Sequence, residues 1–571
     1  MARRRVWFEF RDLLVEFVPM TDGVDCLHGL REWVAFQYLN HTLQDQVKFY
    51  ASPAEQRANR PLNLDTKVDG LGLEIEHPIL VDAPFTFGSI YVCMFGLRPD
   101  APRLERDQLL NKINTSLTRD LRRFVLLAAP HGSGKRSILL LFAQRYPELH
   151  CIDVMLMRNS SPNDALRQHG LDICGKESSL SEDEQHVILI EDAQRNYEDK
   201  AFWKALITEA PSWLPSNIRF IISASHALES PIELQSIRTF GRTDFLLSDE
   251  EAREFLALPG VGLPEKMKDG KDKLAELLVR ECGGLVGALR VAVTNLSKNF
   301  RSSPTPSESE LLSYVLSYDC LECMERCFCR PTQPTSSEFL MKCLALSPNA
   351  VPLSPKIAEE NKECFMILKK TGVLVQENKQ LVRFSSPMAE RFYFKRLVPR
   401  FAHFDPKSVR ELITKVLGSL SASALRASVD GSHGFPDEIT FRQQLMKGIA
   451  LNTTYTCSTC PELPRVFPVA ATDNRGVVFF VNASQKWGLE FFVDGGNAQD
   501  YTSQFAPGGR YAALEVDDYA VVDLRGNATG IIPDGVASKG KLVSVFFKLG
   551  DFSRCQCIFS MDETRHDIDL S

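Results

Sequence analysis

Long hydrophobic runs are absent from this sequence: no stretch approaches the roughly 20 apolar residues that a membrane-spanning helix needs, so we expect no membrane association. An excess of positive charge is also lacking, because 66 Lys+Arg face 73 Asp+Glu, a net charge of -7. This balance argues against a protein that coats nucleic acid through its overall charge. At the amino terminus Glu9, Arg11, Asp12 and Glu16 interrupt any apolar core of a secretory signal, so no standard signal peptide is visible.

The cysteines are not arranged as a disulfide framework. Their number, 15, is odd, and they are spread over the whole chain, which fits a reducing compartment better than a disulfide scaffold. The nearest approach to a metal pattern consists of Cys320, Cys323, Cys327 and Cys329, with Cys457 and Cys460 further on. The first four are too closely spaced for a tetrahedral zinc site and lack a spaced second pair. We therefore expect packed thiols here.

With 571 residues, of which 44% are hydrophobic and 24% charged, the chain is long enough for roughly four globular domains. The order of predicted elements makes it a multidomain α/β protein. We predict the segments 1–84, a β-rich domain; 85–120, a connector ending in an amphipathic helix; 121–300, a nucleotide-binding domain with a helical lid; 301–407, a winged-helix-like module; and 408–571, an α/β tail.

Residues 1–84 predict a ubiquitin-like β-grasp fold. Two strand-like runs, "VWFEF" and "LLVEFVP", flank a short turn. The helix "CLHGLREWVAFQYLN" follows, with Leu27, Leu30, Val34 and Tyr38 at helical spacing. "VKFYA" and "HPILVDAP" then supply the remaining strands. The order is ββαβ and a last strand.

Residues 121–300 alternate strand-like and helical runs. The strand-like runs are "FVLLAA", "CIDVML", "HVILIED" and "IRFIISAS". This alternation predicts a parallel sheet between layers of helices. Further on, "LKKTGVLVQENKQLVRFSS" reads as a helix followed by a hairpin, which favours a winged helix.

The stretch "APHGSGKRS", residues 129–137, predicts a phosphate-binding loop. Such a loop works because consecutive backbone N–H groups, free of side-chain bulk, point at a phosphate at the start of a helix. Gly132, Ser133, Gly134 and Lys135 supply the inner turn and its lysine, so we expect ATP or GTP to bind. Ala129 stands where the loop usually opens with glycine, which requires a negative φ there.

Magnesium binding is weakened in this motif. Arg136 replaces the serine or threonine that normally holds the ion, and Ser137 comes one residue late, about 100° around the helix. The strand "HVILIED" delivers Glu191 and Asp192 to its carboxyl end. We predict these two as metal ligands and catalytic residues, since acidic side chains there hold magnesium and position the attacking water. Ser223 and Ser225, at the end of "IRFIISAS", are suited to sensing the terminal phosphate.

Several phrases resemble those of Crinkler effectors. The pair "PLNLDTKVDGLG" and "HPILVDAP" is similar to their amino-terminal domain, and "EDAQRNYEDKAFW" to the phrase after their acidic strand. "LVRECGGLVGALRVAV" is similar to a glycine-rich segment of the same NTPases, with Gly283, Gly284 and Gly287 retained and Val286 in place of proline. The resemblance implies an NTPase of the signal-transduction class, secretion and action in a host nucleus or cytoplasm. It also implies a host protein or DNA as target, and self-association through the NTPase domain.

In the same family a restriction-endonuclease-like domain often follows the NTPase, and its metal-binding positions are eroded here. Phe479 occupies the place of the metal aspartate, Gln444 that of the helical glutamate and Val493 that of a basic partner. Only Glu490 matches, as a vestigial catalytic residue. Residues 431–571 hold 12 Lys+Arg and 17 Asp+Glu, a poor balance for gripping a phosphate backbone. We expect an inactive nuclease-like domain that serves interaction.

Three other hypotheses stay open. An active DNA-directed NTPase-nuclease would cleave DNA through Glu490. An endogenous regulatory NTPase of the signal-transduction class would never leave the producing cell. A decayed copy would bind no nucleotide. Asp523 and Arg525, in "VVDLR", are predicted to be core or edge structure, not catalytic residues.

Overall fold

The structure is a computed structural model of the 571-residue chain. The residues that it describes are 5–10, 14–19, 26–31, 47–58, 60–68, 71, 79–82, 102–156, 161–227, 237–265, 267, 271–301, 303, 305–324, 327–328, 339–340, 343, 351–352, 361–377, 381–397, 406–429, 434–454, 456–461, 463, 467, 477–482, 484–493, 504–532, 541–559 and 565–571.

The chain forms two compact units. The first combines residues 1–129 and 134–245, and the second combines 130–133 and 246–571. The helices after Phe245, predicted as the lid of the nucleotide-binding domain, thus belong to the second unit. The predicted boundaries at 300 and 407 also fall inside the second unit, and stay predictions.

The first unit opens with a mixed four-stranded sheet. Its strands are β1 (Arg5–Phe10), β2 (Leu14–Pro19), β3 (Lys48–Tyr50) and β4 (Ile79–Asp82). They lie in the order β2-β1-β4-β3, with the central pair parallel and both outer pairs antiparallel. All four coincide with runs read as strands in the sequence. The ubiquitin-like assignment of residues 1–84 stays a prediction.

A second sheet in this unit is parallel throughout. In chain order the further strands are β5 (Phe124–Ala128), β6 (His150–Met155), β7 (Leu171–Asp172), β8 (Glu177–Ser178), β9 (His186–Glu191), β10 (Ile218–Ala224) and β11 (Ile237–Gly241). Strands β7 and β8 form a short hairpin, and the other five form the sheet β11-β5-β10-β9-β6. The predicted parallel sheet is therefore confirmed.

Both faces of this sheet are buried, which explains why its central strands are continuous apolar runs. One face packs around Phe220, Phe202 and Trp203, and the other around Leu127 and Phe142. The helices of the unit are α1 (Pro53–Arg57), α2 (Asp107–Thr118), α3 (Lys135–Arg145), α4 (Pro162–Arg167), α5 (Lys200–Lys204) and α6 (Arg242–Phe245).

The second unit begins with helices that start at serine caps. Ser248 and Ser307 each accept a hydrogen bond from the third residue of the following helix, whose glutamate bonds back to the serine N–H, a capping box that satisfies two unpaired N–H groups. The helices are α7 (Asp249–Ala257), α8 (Lys271–Cys282), α9 (Val286–Asn299), α10 (Glu308–Val315), α11 (Tyr318–Cys323), α12 (Lys362–Lys370), α13 (Pro387–Leu397), α14 (Val409–Gly418), α15 (Ala422–Ser428) and α16 (Glu438–Leu451).

The same unit contains two further sheets. The hairpin expected after "LKKTG" is present, and it pairs β13 (Leu374–Glu377) with β14 (Leu381–Phe384). The preceding strand β12 (Val351–Pro352) adds to β14 and completes a three-stranded sheet. A seven-stranded sheet follows, formed in sequence order by β15 (Ser458–Pro461), β16 (Val477–Asn482), β17 (Lys486–Val493), β18 (Asp518–Asn527), β19 (Leu542–Lys548), β20 (Arg554–Phe559) and β21 (Arg565–Asp569). Its β17-β18 and β18-β19 pairs are parallel. In the described part of the chain, no helix is long and apolar enough to cross a membrane.

Candidate nucleotide site

A tight loop joins β5, inside the parallel sheet, to α3. Gly132 and Gly134 adopt φ of 73° and 87°, a left-handed conformation that glycine takes at no steric cost. Gly134 is the cap of α3, and the helix begins at Lys135. Two glycines with positive φ ahead of a helix amino terminus form the backbone arrangement that cradles a phosphate.

Ala129 fits the place where glycine was expected. Its N–H donates to the carbonyl of Ala224 across 3.1 Å, so the residue extends the pairing of β5 with β10. Ala129 is not among the described residues with positive φ, and the required negative φ is therefore met. Lys135 folds back along the loop, and its Nζ donates to the Ala129 carbonyl oxygen across 2.7 Å.

Residues 130–133 pack within the second unit against the start of α9. The N–H of Gly287 donates to the carbonyl oxygen of Gly132 across 2.8 Å. A Cβ on Gly287 would lie 2.5 Å from that oxygen, and a Cβ on Gly372 would lie 2.2 Å from the Pro130 side chain. Both glycines are thus needed for close approach. Gly287, singled out in the sequence within the glycine-rich phrase, therefore has a packing role beside the phosphate loop.

Arg136, the second residue of α3, lies between two carboxylates. Its Nη1 and Nη2 donate to Asp153 Oδ1 and Oδ2 across 3.0 and 2.8 Å. Nη1 also pairs with Glu191, which is buried at the end of β9. The register places Asp153 opposite Leu189 and Met155 opposite Glu191 on the adjacent strands, so both carboxylates point to the face that α3 covers.

Asp192 and Glu191, both predicted from the sequence as metal ligands, have different partners in the structure. Asp192 has a left-handed φ of 51° and begins a 3-10 turn over residues 193–196. Its Oδ2 lies 3.2 Å from Arg195 Nη2, and its Oδ1 accepts a hydrogen bond from Gln194 Nε2 across 3.1 Å. Among the residues that the structure describes, no three metal-ligating side chains cluster.

The phrase after the acidic strand ties together the ends of β9 and β10. Gln194 Oε1 accepts the N–H of Ser225 across 3.0 Å, which fixes the position of one predicted phosphate sensor. Tyr197 donates to the carbonyl of His226 across 3.0 Å, and burial raises its pKa well above the ordinary value. Trp203 Nε1 donates to the Asn196 carbonyl across 2.9 Å. The aromatic residues of this phrase are therefore structural.

The tail does not assemble the predicted nuclease positions. Phe479 pairs with Leu489, and Val478 with Glu490. Because directly paired residues share a face of a sheet, Phe479 lies on the face opposite to Glu490. Glu490 itself is 1% exposed.

The remaining predicted tail residues have structural partners. Glu490 Oε1 accepts the N–H of Gln504 across 2.8 Å. Gln444 Oε1 accepts the N–H of Ser421, just before α15, across 3.1 Å. The buried Asp523 accepts a hydrogen bond from Arg525 Nε across 2.7 Å, as expected for core structure.

No protein-family model matches this chain, and no curated protein sequence matches it. Among solved structures it is similar to ORC1 of Aeropyrum pernix in complex with DNA, with 16% identity over 52% of this chain and 94% of that chain and a TM-score of 0.27. The RuvB Holliday junction branch migration motor of Thermotoga maritima has 14% identity over 49% and 90% of the two chains, with a TM-score of 0.27. A signal transduction ATPase with numerous domains from Pyrococcus horikoshii has 14% identity over 61% of this chain and 47% of its own, with a TM-score of 0.23. Values this low assign no function.

Proposed function

We propose that this protein binds ATP or GTP at the loop formed by Gly132, Ser133, Gly134 and Lys135. The observation that supports this most is the pair of left-handed glycines immediately before α3, in a loop that leaves the parallel sheet. That geometry presents backbone N–H groups and the positive end of the helix dipole to a phosphate. The side chain of Lys135, which lies along the loop, adds a positive charge that balances the negative charge of the phosphate.

We propose further that the protein acts as a nucleotide-dependent binding protein and hydrolyses nucleotide weakly if at all. The two acidic residues expected to support hydrolysis are each engaged by an arginine, Glu191 by Arg136 and Asp192 by Arg195. A carboxylate held by a guanidinium is a poorer base than one free to orient water. The packing of residues 130–133 on α9 gives the loop a contact through which nucleotide binding would be relayed within the second unit.

The role of a Crinkler-like effector, secreted and acting on a protein or DNA in a host nucleus or cytoplasm, is also proposed. It is supported by the resemblance of residues 1–84 and of the NTPase phrases to that family. The tail would serve interaction and not DNA cleavage, since its one remaining metal-position carboxylate, Glu490, is buried and bound to backbone. Immunolocalisation of the native protein tests this role: detection in the host supports it, and detection only in the producing cell favours an endogenous regulatory NTPase.

Nucleotide binding is tested by titrating the purified full chain with fluorescent ATP and GTP analogues. We expect Lys135→Ala to weaken binding at least about tenfold, since about 1.4 kcal/mol of lost phosphate contact suffices for that factor. Lys112→Ala, which removes an exposed lysine from α2, is the matched control. Equal and weak binding by wild type and by Lys135→Ala would refute the proposal. Light scattering with and without nucleotide tests the proposed self-association.

A further inference from the structure

The position after the loop lysine normally carries a hydroxyl that holds magnesium, and here it carries Arg136. Its guanidinium binds both oxygens of Asp153 across 3.0 and 2.8 Å and also the carboxylate of Glu191. Two carboxylates around one cation is the arrangement expected of ligands around a metal ion. Here the cation is part of the protein.

The residues present do not fit a magnesium ion. Magnesium requires about six oxygen ligands in near-octahedral geometry, whereas a guanidinium offers only N–H donors. The Arg136 side chain is 12% exposed and that of Glu191 8%, so the pair is shielded from water and from exchanging ions. A metal ion would have to displace this guanidinium to reach Glu191.

Building on the nucleotide binding proposed above, we propose that Arg136 replaces magnesium as the fixed cation of the site, and that a nucleoside phosphate binds there with no requirement for a divalent metal ion. Asp153 and Glu191 hold the guanidinium in place as they would hold an ion. A guanidinium is a permanent cation, because it is not deprotonated in proteins. Unlike a bound ion, it stays present when divalent metal is withdrawn.

The experiment compares the affinity of the full chain for a fluorescent ATP analogue in EDTA and in magnesium. For wild type we expect the two dissociation constants to agree within about twofold. In Arg136→Thr, which restores a hydroxyl, we expect magnesium to tighten binding by about tenfold or more. Arg145→Thr is the matched control, because it removes an arginine of the same helix that pairs with Asp107 at the surface.

A second readout follows the metal directly. Free Mn²⁺ gives an electron paramagnetic resonance signal that is lost on binding, and we expect wild type with nucleotide to leave the signal as in nucleotide alone. If the wild-type protein binds nucleotide only in the presence of magnesium, the inference about Arg136 is refuted, whereas the proposal of nucleotide binding is supported. Wild type that binds under neither condition would overturn both. The wild-type comparison needs no variant to fold.

Discussion

Replacement of Gly287 by alanine should report directly on the phosphate loop. The added Cβ would lie 2.5 Å from the Gly132 carbonyl oxygen and 2.8 Å from the Gly132 Cα. Both atoms are backbone, so neither can swing aside as the end of a flexible side chain could. Either residues 130–133 or the first turn of α9 must therefore move, and the 2.8 Å hydrogen bond between the two residues is lost.

The magnitude follows from three opposing effects. Alanine in place of glycine ordinarily stabilises a helix by about 1 kcal/mol. Overpacking costs about 1–3 kcal/mol, and the lost hydrogen bond about 0.5–1.5 kcal/mol. For Gly287→Ala we expect a net loss of about 1–3 kcal/mol. If half of this free energy falls on the loop, nucleotide binding weakens by about two- to tenfold, at about 1.4 kcal/mol per factor of ten.

The assay is a titration with a fluorescent nucleotide, together with thermal unfolding of each variant. Gly241→Ala is the control, because a Cβ there would meet nothing within 4 Å and the residue has no positive φ. A Gly287→Ala protein with wild-type affinity and a raised Tm would show that helix propensity prevails and that the loop does not pack on α9 as described.

Three further predictions concern the second unit. Arg391→Met leaves the carboxylate of Glu281, which is 0% exposed, buried without its partner. We expect this change to lower the free energy of unfolding, measured in urea, by about 3–5 kcal/mol. Adding Glu281→Leu should recover most of that loss, and a double variant without recovery would contradict the pairing. Glu490→Ala should lower the free energy of unfolding by about 1–3 kcal/mol, because it breaks the buried hydrogen bond to the N–H of Gln504. It should leave any DNA cleavage in a plasmid-nicking assay unchanged. A loss of nicking in this variant would support the nuclease hypothesis instead. Burial raises the pKa of Cys320 from 9.0 to about 12, so this thiol should resist alkylation at pH 8, as measured by mass spectrometry. Because the unfolded thiol ionises at lower pH, the contribution of Cys320 to stability should be lost as pH rises from 9.0 towards 12. Rapid alkylation at pH 8 would show that the site opens to solvent.

The parallel sheet of the first unit could be predicted well from the sequence, because strands buried on both faces appear as continuous apolar runs. The loop glycines were equally predictable, since few other residues tolerate their conformation. Asp153 was missed as a partner of Arg136. It lies in "CIDVML", and only the adjacency of β6 and β9 brings it to Glu191. Strand order is set by tertiary packing, and no local pattern in the sequence encodes it.

Two groupings of predicted residues depend on geometry that the sequence does not show. Glu191 and Asp192 are neighbours in sequence, but Glu191 pairs with Arg136, whereas Asp192, at a left-handed φ, pairs with Arg195. The family motif assigns Phe479 and Glu490 to two metal positions of a nuclease, of which only Glu490 keeps its carboxylate, and the hairpin register puts the two residues on opposite faces of the sheet. Shifting a strand by one residue moves every side chain to the other face, so a motif match without the register does not define a site.

Helix α13 joins two other helices of the second unit through adjacent residues. Arg391 pairs with Glu281 of α8, and Glu390 pairs with Arg442 of α16 across 3.4 Å, all four side chains being buried. Apolar contacts in these places would be at least as stabilising, so stability alone does not account for them. Charge pairs differ in that a small slide of one helix past another breaks them, whereas apolar contacts re-form. Helix α8 leads through two glycines into α9, which contacts Gly132, so the Arg391–Glu281 pair holds the helix that immediately precedes this contact.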